Sequence, residues 1–243
     1  MPPPPTFDAR LVRSRMLTPF VRELSFERAD GAPFEFVAGQ WVSLVLPLAE
    51  GEARRAYSVA SPPDGTSGFS LAVTKVEGGP GSTYLHELPI GTVIRTIGPQ
   101  GFFTRPRGTK HPSLFVGTGT GVTPLRSMIL DAVAHGDDSP LWLLFGVRYE
   151  GDRLYRDELD ALVARHPNVR VEYTLSKPAA EWTGRTGYVQ AHVPELWREL
   201  SERNLGPPHA YVCGLERMVG AVRDLLRKQL GVERKQVHSE RYD

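Results

Sequence analysis

Residues 114–128, Leu-Phe-Val-Gly-Thr-Gly-Thr-Gly-Val-Thr-Pro-Leu-Arg-Ser-Met, restrict the folds open to this chain. The apolar triplet 114–116 reads as a buried strand. Three glycines follow on alternate positions, Gly117, Gly119 and Gly121. Pro124 then falls where a helix would make its first turn, and Leu125, Met128, Ile129 and Ala132 repeat at helical spacing. A strand that breaks into a glycine turn and feeds a helix gathers unbonded backbone N–H groups at one point. The helix dipole adds partial positive charge there, so the point attracts phosphate. Taken alone, the stretch fits a phosphate cradle and a plain tight turn equally well. Its spacing departs from Gly-x-Gly-x-x-Gly, because Val122 takes the third glycine's place.

The chain has a different texture on either side. Residues 7–105 carry short runs rich in Val, Leu, Phe and Thr, at 11–16, 21–26, 41–46, 57–60, 69–74 and 93–97. Turn signals such as Ala29-Asp30-Gly31, Pro62-Pro63-Asp64-Gly65 and Gly98-Pro99-Gln100-Gly101 separate them. A closed antiparallel barrel suits these runs, because closure removes exposed edges. One short helix is expected over 82–88, stopped by Pro89. After His111-Pro112, strands at 113–116, 141–147, 169–175 and 210–213 alternate with helices at 124–135, 154–164, 195–203 and 216–230. A last extended piece falls at 236–238. Continuously apolar strands between helices predict a doubly wound parallel sheet, whose ligands sit beyond the carboxyl ends of its strands. Residues 117–121 and the pair Cys213-Gly214 both fall at such ends. The expected division is a disordered lead-in over 1–6, an N-terminal antiparallel six-stranded β-barrel over 7–110, and an α/β domain over 111–243.

Composition narrows the function. The net charge is +1, so no field strong enough to imply a nucleic-acid partner is present. Cys213 is the single cysteine, which excludes an internal disulfide and any cysteine-ligated zinc or iron–sulfur centre within the chain. No apolar run has membrane-spanning length, and the proline-rich start lacks the features of a signal peptide. A cytoplasmic monomer without membrane or metal partners is expected.

Four stretches carry polar chemistry. Arg55-Ala56-Tyr57-Ser58 offers a cation, a flat ring and a hydroxyl on one short strand, suited to a pyrophosphate, a stacked ring and a ring edge. Residues 75–85, from Lys75 through Gly81-Ser82-Thr83, place glycines before a helix start. The third is 117–124. The fourth pairs Cys213-Gly214 with the terminal Glu240-Arg241-Tyr242. Singly, each also reads as ordinary structure: a surface arginine, a helix cap, a buried small hydrophobe, a frayed end.

In this order the four resemble the ferredoxin–NADP reductase family, over nearly the whole chain. Arg55, Tyr57 and Ser58 match its Arg-x-Tyr-Ser/Thr flavin motif. Gly81, Ser82 and Thr83 match its flavin-phosphate turn. Gly117, Thr118, Gly119, Thr120, Gly121, Thr123 and Pro124 span its nicotinamide loop, Cys213-Gly214 its Cys-Gly pair, and Glu240-x-Tyr242 the terminal motif of the plant-type branch. The resemblance implies bound FAD and a nicotinamide dinucleotide. It assigns Arg55 to the FAD pyrophosphate, Ser58 to the neighbourhood of flavin N5, Cys213 to the nicotinamide carbon, and Glu240 to charge stabilisation or proton relay. Ser58, Cys213 and Glu240 are the catalytic candidates; Val73, Lys75, Gly214 and Tyr242 join the cofactor-binding set. Ser176-Lys177, with Arg148 and Arg185, stands where the family reads the 2′-phosphate, which favours NADP and leaves NAD open. The implied activity moves hydride between NADP(H) and flavin, and single electrons to or from a ferredoxin, a flavodoxin or another iron–sulfur carrier. An NADH-dependent reductase component of an oxygenase and a non-catalytic flavin subunit are the alternatives.

Overall fold

The computed structural model describes residues 3–242. Residues up to Pro106, with Arg126–Asp131, form one compact unit; Arg107–Leu125 and the chain from Ala132 form a second. The expected lead-in falls partly outside the described residues. Residues 3–5 have no regular structure, and Thr6 already belongs to the first strand.

The first unit is a six-stranded antiparallel sheet: β1 (Thr6–Thr18), β2 (Val21–Arg28), β3 (Trp41–Leu48), β4 (Gly51–Ser58), β5 (Gly68–Thr74) and β6 (Val93–Gln100), in the order β4-β3-β6-β1-β2-β5. Helix α1 (Pro80–Glu87) lies between β5 and β6 in the chain. Leu11, Leu24, Leu44, Leu46 and Leu71 are fully buried, and Phe34 and Phe69 rings meet at 4.7 Å between centroids. The fourth strand corrects the expectation at 57–60: it runs over Gly51–Ser58, and the apolar pair Val59-Ala60 follows it. Glu52, Arg54 and Arg55 are exposed on this sheet-end strand. Its ladder to β3, from Trp41↔Ser58 to Leu48↔Gly51, is made by backbone that carries no hydrophobic signal. Beyond it, Ala60 N–H donates to Ser70 O at 2.8 Å, which draws the two ends of the sheet toward closure.

The second unit is a parallel sheet flanked by helices. Its strands are β7 (Ser113–Thr118), β8 (Leu141–Val147), β9 (Val169–Leu175), β10 (Arg185–Thr186), β11 (His209–Leu215) and β12 (Val237–Tyr242). Its helical parts are the two ends of α2 (Val122–Ala134), whose middle, Arg126–Asp131, belongs to the first unit, then α3 (Arg156–Arg165), α4 (Val193–Glu202) and α5 (Glu216–Asp224). The order is β10-β9-β8-β7-β11-β12, so strand succession reverses between β7 and β11. That reversal opens a crevice at the carboxyl ends of these two strands. Every residue of β8 is buried, as a central parallel strand requires. Helix α4 buries Val193, Leu196, Trp197 and Leu200, one face at helical spacing.

Strand β10 falls outside the expectation, and several boundaries depart from it, those of α2, α5 and β12 among them. Helix α2 starts at Val122, two residues before Pro124, and follows a 3₁₀ turn over Gly119–Gly121. Pro124 is harmless in the first turn, whose N–H groups have no intrahelical acceptor. Helix α5 ends at Asp224 and continues as one wider turn over Leu225–Gln229. Strand β12 runs four residues past the expected extended piece, held by a parallel ladder from Ala210↔Val237 to Leu215↔Tyr242.

At the amino ends of β7, β11 and β12 the rings of His111, His209 and His238 stack in sequence, with centroids 3.7 and 5.3 Å apart. His209 Nδ1 and His238 Nε2 are 3.0 Å apart, so one of the two must be a neutral acceptor. Burial lowers the His238 pKa below its ordinary value. A folded pKa below the unfolded one favours folding while the ring is neutral. Stability from this site is therefore complete above about pH 6.5 and declines as the pH falls through the lower folded value. Urea midpoints measured between about pH 8 and pH 5 are expected to fall more steeply for the native chain than for His238→Gln; parallel curves would contradict this.

Candidate functional site

Each unit brings together residues from distant parts of its own sequence. In the first, β4 carries Arg55, Tyr57 and Ser58. Tyr57 is half-buried against the barrel core, and burial pushes its phenol up to about 12. Ser58, at the strand's end, is buried. Helix α1 starts at Gly79-Pro80, and Thr83 N–H makes its first helical bond, to Gly79 O at 3.0 Å. Pro80 has no N–H, so the amides of Gly81 and Ser82 are the first-turn donors without an intrahelical acceptor. A Cβ on Gly81 would stand 3.2 Å from both Cγ and Nε of Arg55. The arginine side chain therefore lies directly over the helix start. An arginine packed against a helix start with unbonded first-turn amides suits a diphosphate, and these residues fit the pyrophosphate of FAD.

The other predicted residues here support that helix start. Ser82 Oγ accepts from Val76 N–H and donates to Gly79 O, both at 3.0 Å, so its hydroxyl closes the turn and leaves the amide for a ligand. The Val73 side chain is in the core, and its carbonyl accepts from His86 Nε2 at 2.8 Å. Lys75 is exposed beyond the end of β5. Sequence reasoning missed Arg22. Its guanidinium donates to the carbonyls of Leu85 (3.0 Å), His86 (2.8 Å) and Leu88 (3.1 Å), so it caps the far end of α1 and fixes the helix to β2. On the sequence it is one polar position in an alternating strand, with nothing to mark it.

In the second unit the reversal point is built from Gly117–Gly121 and Cys213-Gly214. A Cβ on Gly121 would collide with the Cys213 carbonyl and come within 2.8 Å of Gly214 Cα. Gly214, at φ +152°, would in turn set a Cβ 2.5 Å from Thr118 Oγ1. The loop after β7 and the end of β11 are thus seated backbone on backbone, and only glycine permits it. Gly117, Cys213 and Glu240 are register partners across β7, β11 and β12. Cys213 is fully buried; burial first, and then the Glu240 charge, push its thiol far above the ordinary value, against a hydrogen bond from Tyr242. The group is a neutral thiol at any working pH. Thr118 and Thr120 are half-exposed at the loop surface, whereas Thr123 is buried and donates to Thr120 O at 2.8 Å. Pro124 has no N–H to offer that carbonyl, and the Thr123 hydroxyl supplies one. Tyr242 OH lies 3.4 Å from Thr123 Oγ1. These residues gather glycine backbone and hydroxyls at a helix start, which suits the diphosphate and nicotinamide end of a dinucleotide.

Beside it, Ser176 N–H and Lys177 N–H bond Val147 O (3.0 Å) and Arg148 O (2.9 Å). The pair sets Arg148 and Lys177 next to each other at the carboxyl ends of β8 and β9, both exposed. Arg185 is held by ion pairs. Its guanidinium holds Glu195 through two bonds, of 2.7 and 3.1 Å, and Glu172 through a third, of 3.1 Å. Arg185, expected beside them, has three guanidinium donors engaged by these two carboxylates.

Two family models match the chain in the same order, an oxidoreductase FAD-binding domain over residues 8–104 and an oxidoreductase NAD-binding domain over 115–224. The chain is 60% identical to ferredoxin–NADP reductase B of Sorangium cellulosum (strain So ce56), over 98% of both chains. It belongs to the ferredoxin–NADP reductase family. It is accordingly an oxidoreductase that binds FAD and a nicotinamide dinucleotide. It is also 31% identical to the phenol hydroxylase P5 protein of Acinetobacter pittii (strain PHEA-2), over 97% of this chain but 65% of that protein. Among solved structures, the Amycolatopsis cytochrome P450 reductase GcoB is similar at a TM-score of 0.84 and 26% identity, over 98% of this chain and 70% of that one. No helix among the described residues is long and apolar enough to cross a membrane, and none of their His, Cys, Asp and Glu side chains form a group of three that could hold a metal ion.

The helix start beside Arg55 yields a direct expectation. Arg55→Ala removes the cation and leaves the helix start intact. Loss of one charge-assisted contact of about 1.5–3 kcal/mol weakens FAD binding by roughly 10- to 100-fold. The flavin-to-protein absorbance ratio of the purified variant is expected to drop sharply; unchanged occupancy would remove Arg55 from the site.

Proposed function

We propose that this chain exchanges hydride with NADP(H) and single electrons with a ferredoxin- or flavodoxin-type carrier. The observation that carries this reading is the seat of Gly121 on the Cys213 carbonyl at the strand reversal. It brings the loop after β7 and the end of β11 into backbone contact at the strand reversal, the position where a doubly wound sheet binds a dinucleotide. When bound, FAD supplies the conversion between a two-electron hydride and single electrons.

In this reading the flavin domain is 7–110 and the nicotinamide domain 111–243. Arg55 and the amides of Gly81 and Ser82 hold the FAD diphosphate, with Tyr57 against the flavin and Ser58 beside its reactive edge. The loop from Gly117 to Pro124 receives the nicotinamide diphosphate through its amides and the hydroxyls of Thr118 and Thr120. Cys213, buried and protonated, presents a neutral sulfur that shapes the nicotinamide pocket without competing as a nucleophile. Glu240, its neighbour in register, supplies negative charge or a proton site behind that pocket. Lys177 and Arg148 meet the 2′-phosphate, which selects NADPH over NADH. The enzyme works as a cytoplasmic monomer whose carrier brings its own iron–sulfur centre or flavin, because Cys213 alone cannot ligate a cluster.

The reading of a reductase component for an oxygenase differs in its nicotinamide. It predicts NADH as the better donor. Steady-state rates of the FAD-loaded protein with a one-electron acceptor decide between them. A higher kcat/KM for NADPH than for NADH is expected, and the reverse order would overturn the NADP assignment.

A further inference from the structure

Two arginines near the carboxyl ends of β8 and β9 are held inside the scaffold. Arg153 lies 5.1 Å from the Tyr173 ring centroid and 5.4 Å from that of Trp182, and its Nε–H donates to Glu150 O at 3.0 Å. Arg185 is held more completely. It forms the fork to Glu195, the third bond to Glu172, and a contact of 3.4 Å to His192 Nδ1. The Glu195 carboxyl is held below its ordinary value by this guanidinium.

The placement of Arg185 gives that arrangement a purpose. Strand β10 is only Arg185–Thr186 and pairs with Thr174 and Leu175 at the end of β9. It is the return of the segment 176–184, whose first two residues are Ser176 and Lys177. The segment is tied at its start by the bonds of 176 and 177 to the end of β8. In its middle, Trp182 turns back so that Nε1–H reaches Arg185 O at 2.9 Å, and its ring occupies the space where a Gly184 side chain would stand. At its far end the two-residue β10 is extended by Gly187, whose N–H donates to Leu175 O and whose carbonyl accepts from Thr174 Oγ1, both at 2.9 Å, and Arg185 adds side-chain ties, to β9 through Glu172 and to the first turn of α4 through Glu195. His192 Nε2 adds a contact to Thr186 O at 2.9 Å.

We propose that Arg185, with Glu172 and Glu195, is a positioning device that pins the segment bearing Ser176 and Lys177, and so sets the preference for a 2′-phosphorylated nicotinamide dinucleotide without touching it. This rests on Lys177 and Arg148 as the 2′-phosphate contacts. A pin and a ligand respond oppositely to loss of Glu195. If Arg185 were a phosphate ligand held back by its carboxylates, Glu195→Ala would release it and tighten NADPH. As a pin, Arg185 loses its anchor, and the segment loosens.

The test is the steady-state kinetics of FAD-loaded Glu195→Ala, Glu195→Gln and Lys177→Ala with NADPH and with NADH. For Glu195→Ala the expected result is a rise in KM for NADPH on the order of 10-fold, with kcat and the KM for NADH unchanged. Glu195→Gln keeps hydrogen-bonding capacity, folds where the alanine variant fails to, and is expected to give a smaller rise of the same selectivity. A lowered or unchanged KM for NADPH in both Glu195 variants would overturn the proposal, as would equal changes for both nucleotides. Lys177→Ala separates the levels. If it raises the KM for NADPH while both Glu195 variants do not, the pin fails and the phosphate site stands. If Lys177→Ala has no effect, the phosphate site fails and the pin with it.

Discussion

Everything in the second unit depends on the close approach of Gly121 to the Cys213 carbonyl. Ninety-two positions of sequence separate these residues, yet the parallel order places β7 and β11 side by side, with Gly117 and Cys213 in register. Once the strands are set, the chain leaving β7 has one route into α2, across the end of β11. A side chain at 121 or 214 would block that route. The same seating fixes the loop's glycines and the start of α2 at the strand reversal, where a helix N-terminus suits a diphosphate. Fold and site are here a single packing event.

The cations divide by what already occupies them. Arg22 is spent on three carbonyls of α1, Arg185 on two carboxylates, and Arg153 on two rings and Glu150. They hold helices and loops in place. Arg55 lies across Gly81, and Arg148 and Lys177 stand exposed beside one another. Arg55 gives one Nη1–H to the Arg54 carbonyl at 2.9 Å and is in no carboxylate fork among the described residues, which separates it from Arg185, a residue that looks alike in the sequence.

Much of the fold was legible because its signals are periodic. Residues 141–147 are apolar throughout and form the fully buried β8, and the spacing of Val193, Leu196, Trp197 and Leu200 marks the inner face of α4. What escaped lacks a hydrophobic signature. Strand β4 is held by its ladder to β3 while Arg54 and Arg55 face water, and β12 is half-polar along its length. In the candidate sites, glycines and the Cys-Gly pair were legible as motifs because a backbone constraint forces residue identity. The commitment of Arg185 was not, since Glu195 lies ten residues away on another element and only the folded sheet brings the two together. Arg22 was hidden for the same reason.

In the proposed reading, the glycine seat at the strand reversal receives the nicotinamide dinucleotide, and the helix start beside Arg55 receives FAD. Anaerobic titration of Gly121→Ala with NADPH, followed by flavin absorbance, tests it most directly. The expected result is a yellow protein with normal FAD content that NADPH no longer bleaches, while a chemical reductant still does. Bleaching by NADPH at the rate and concentration of the native chain would contradict it.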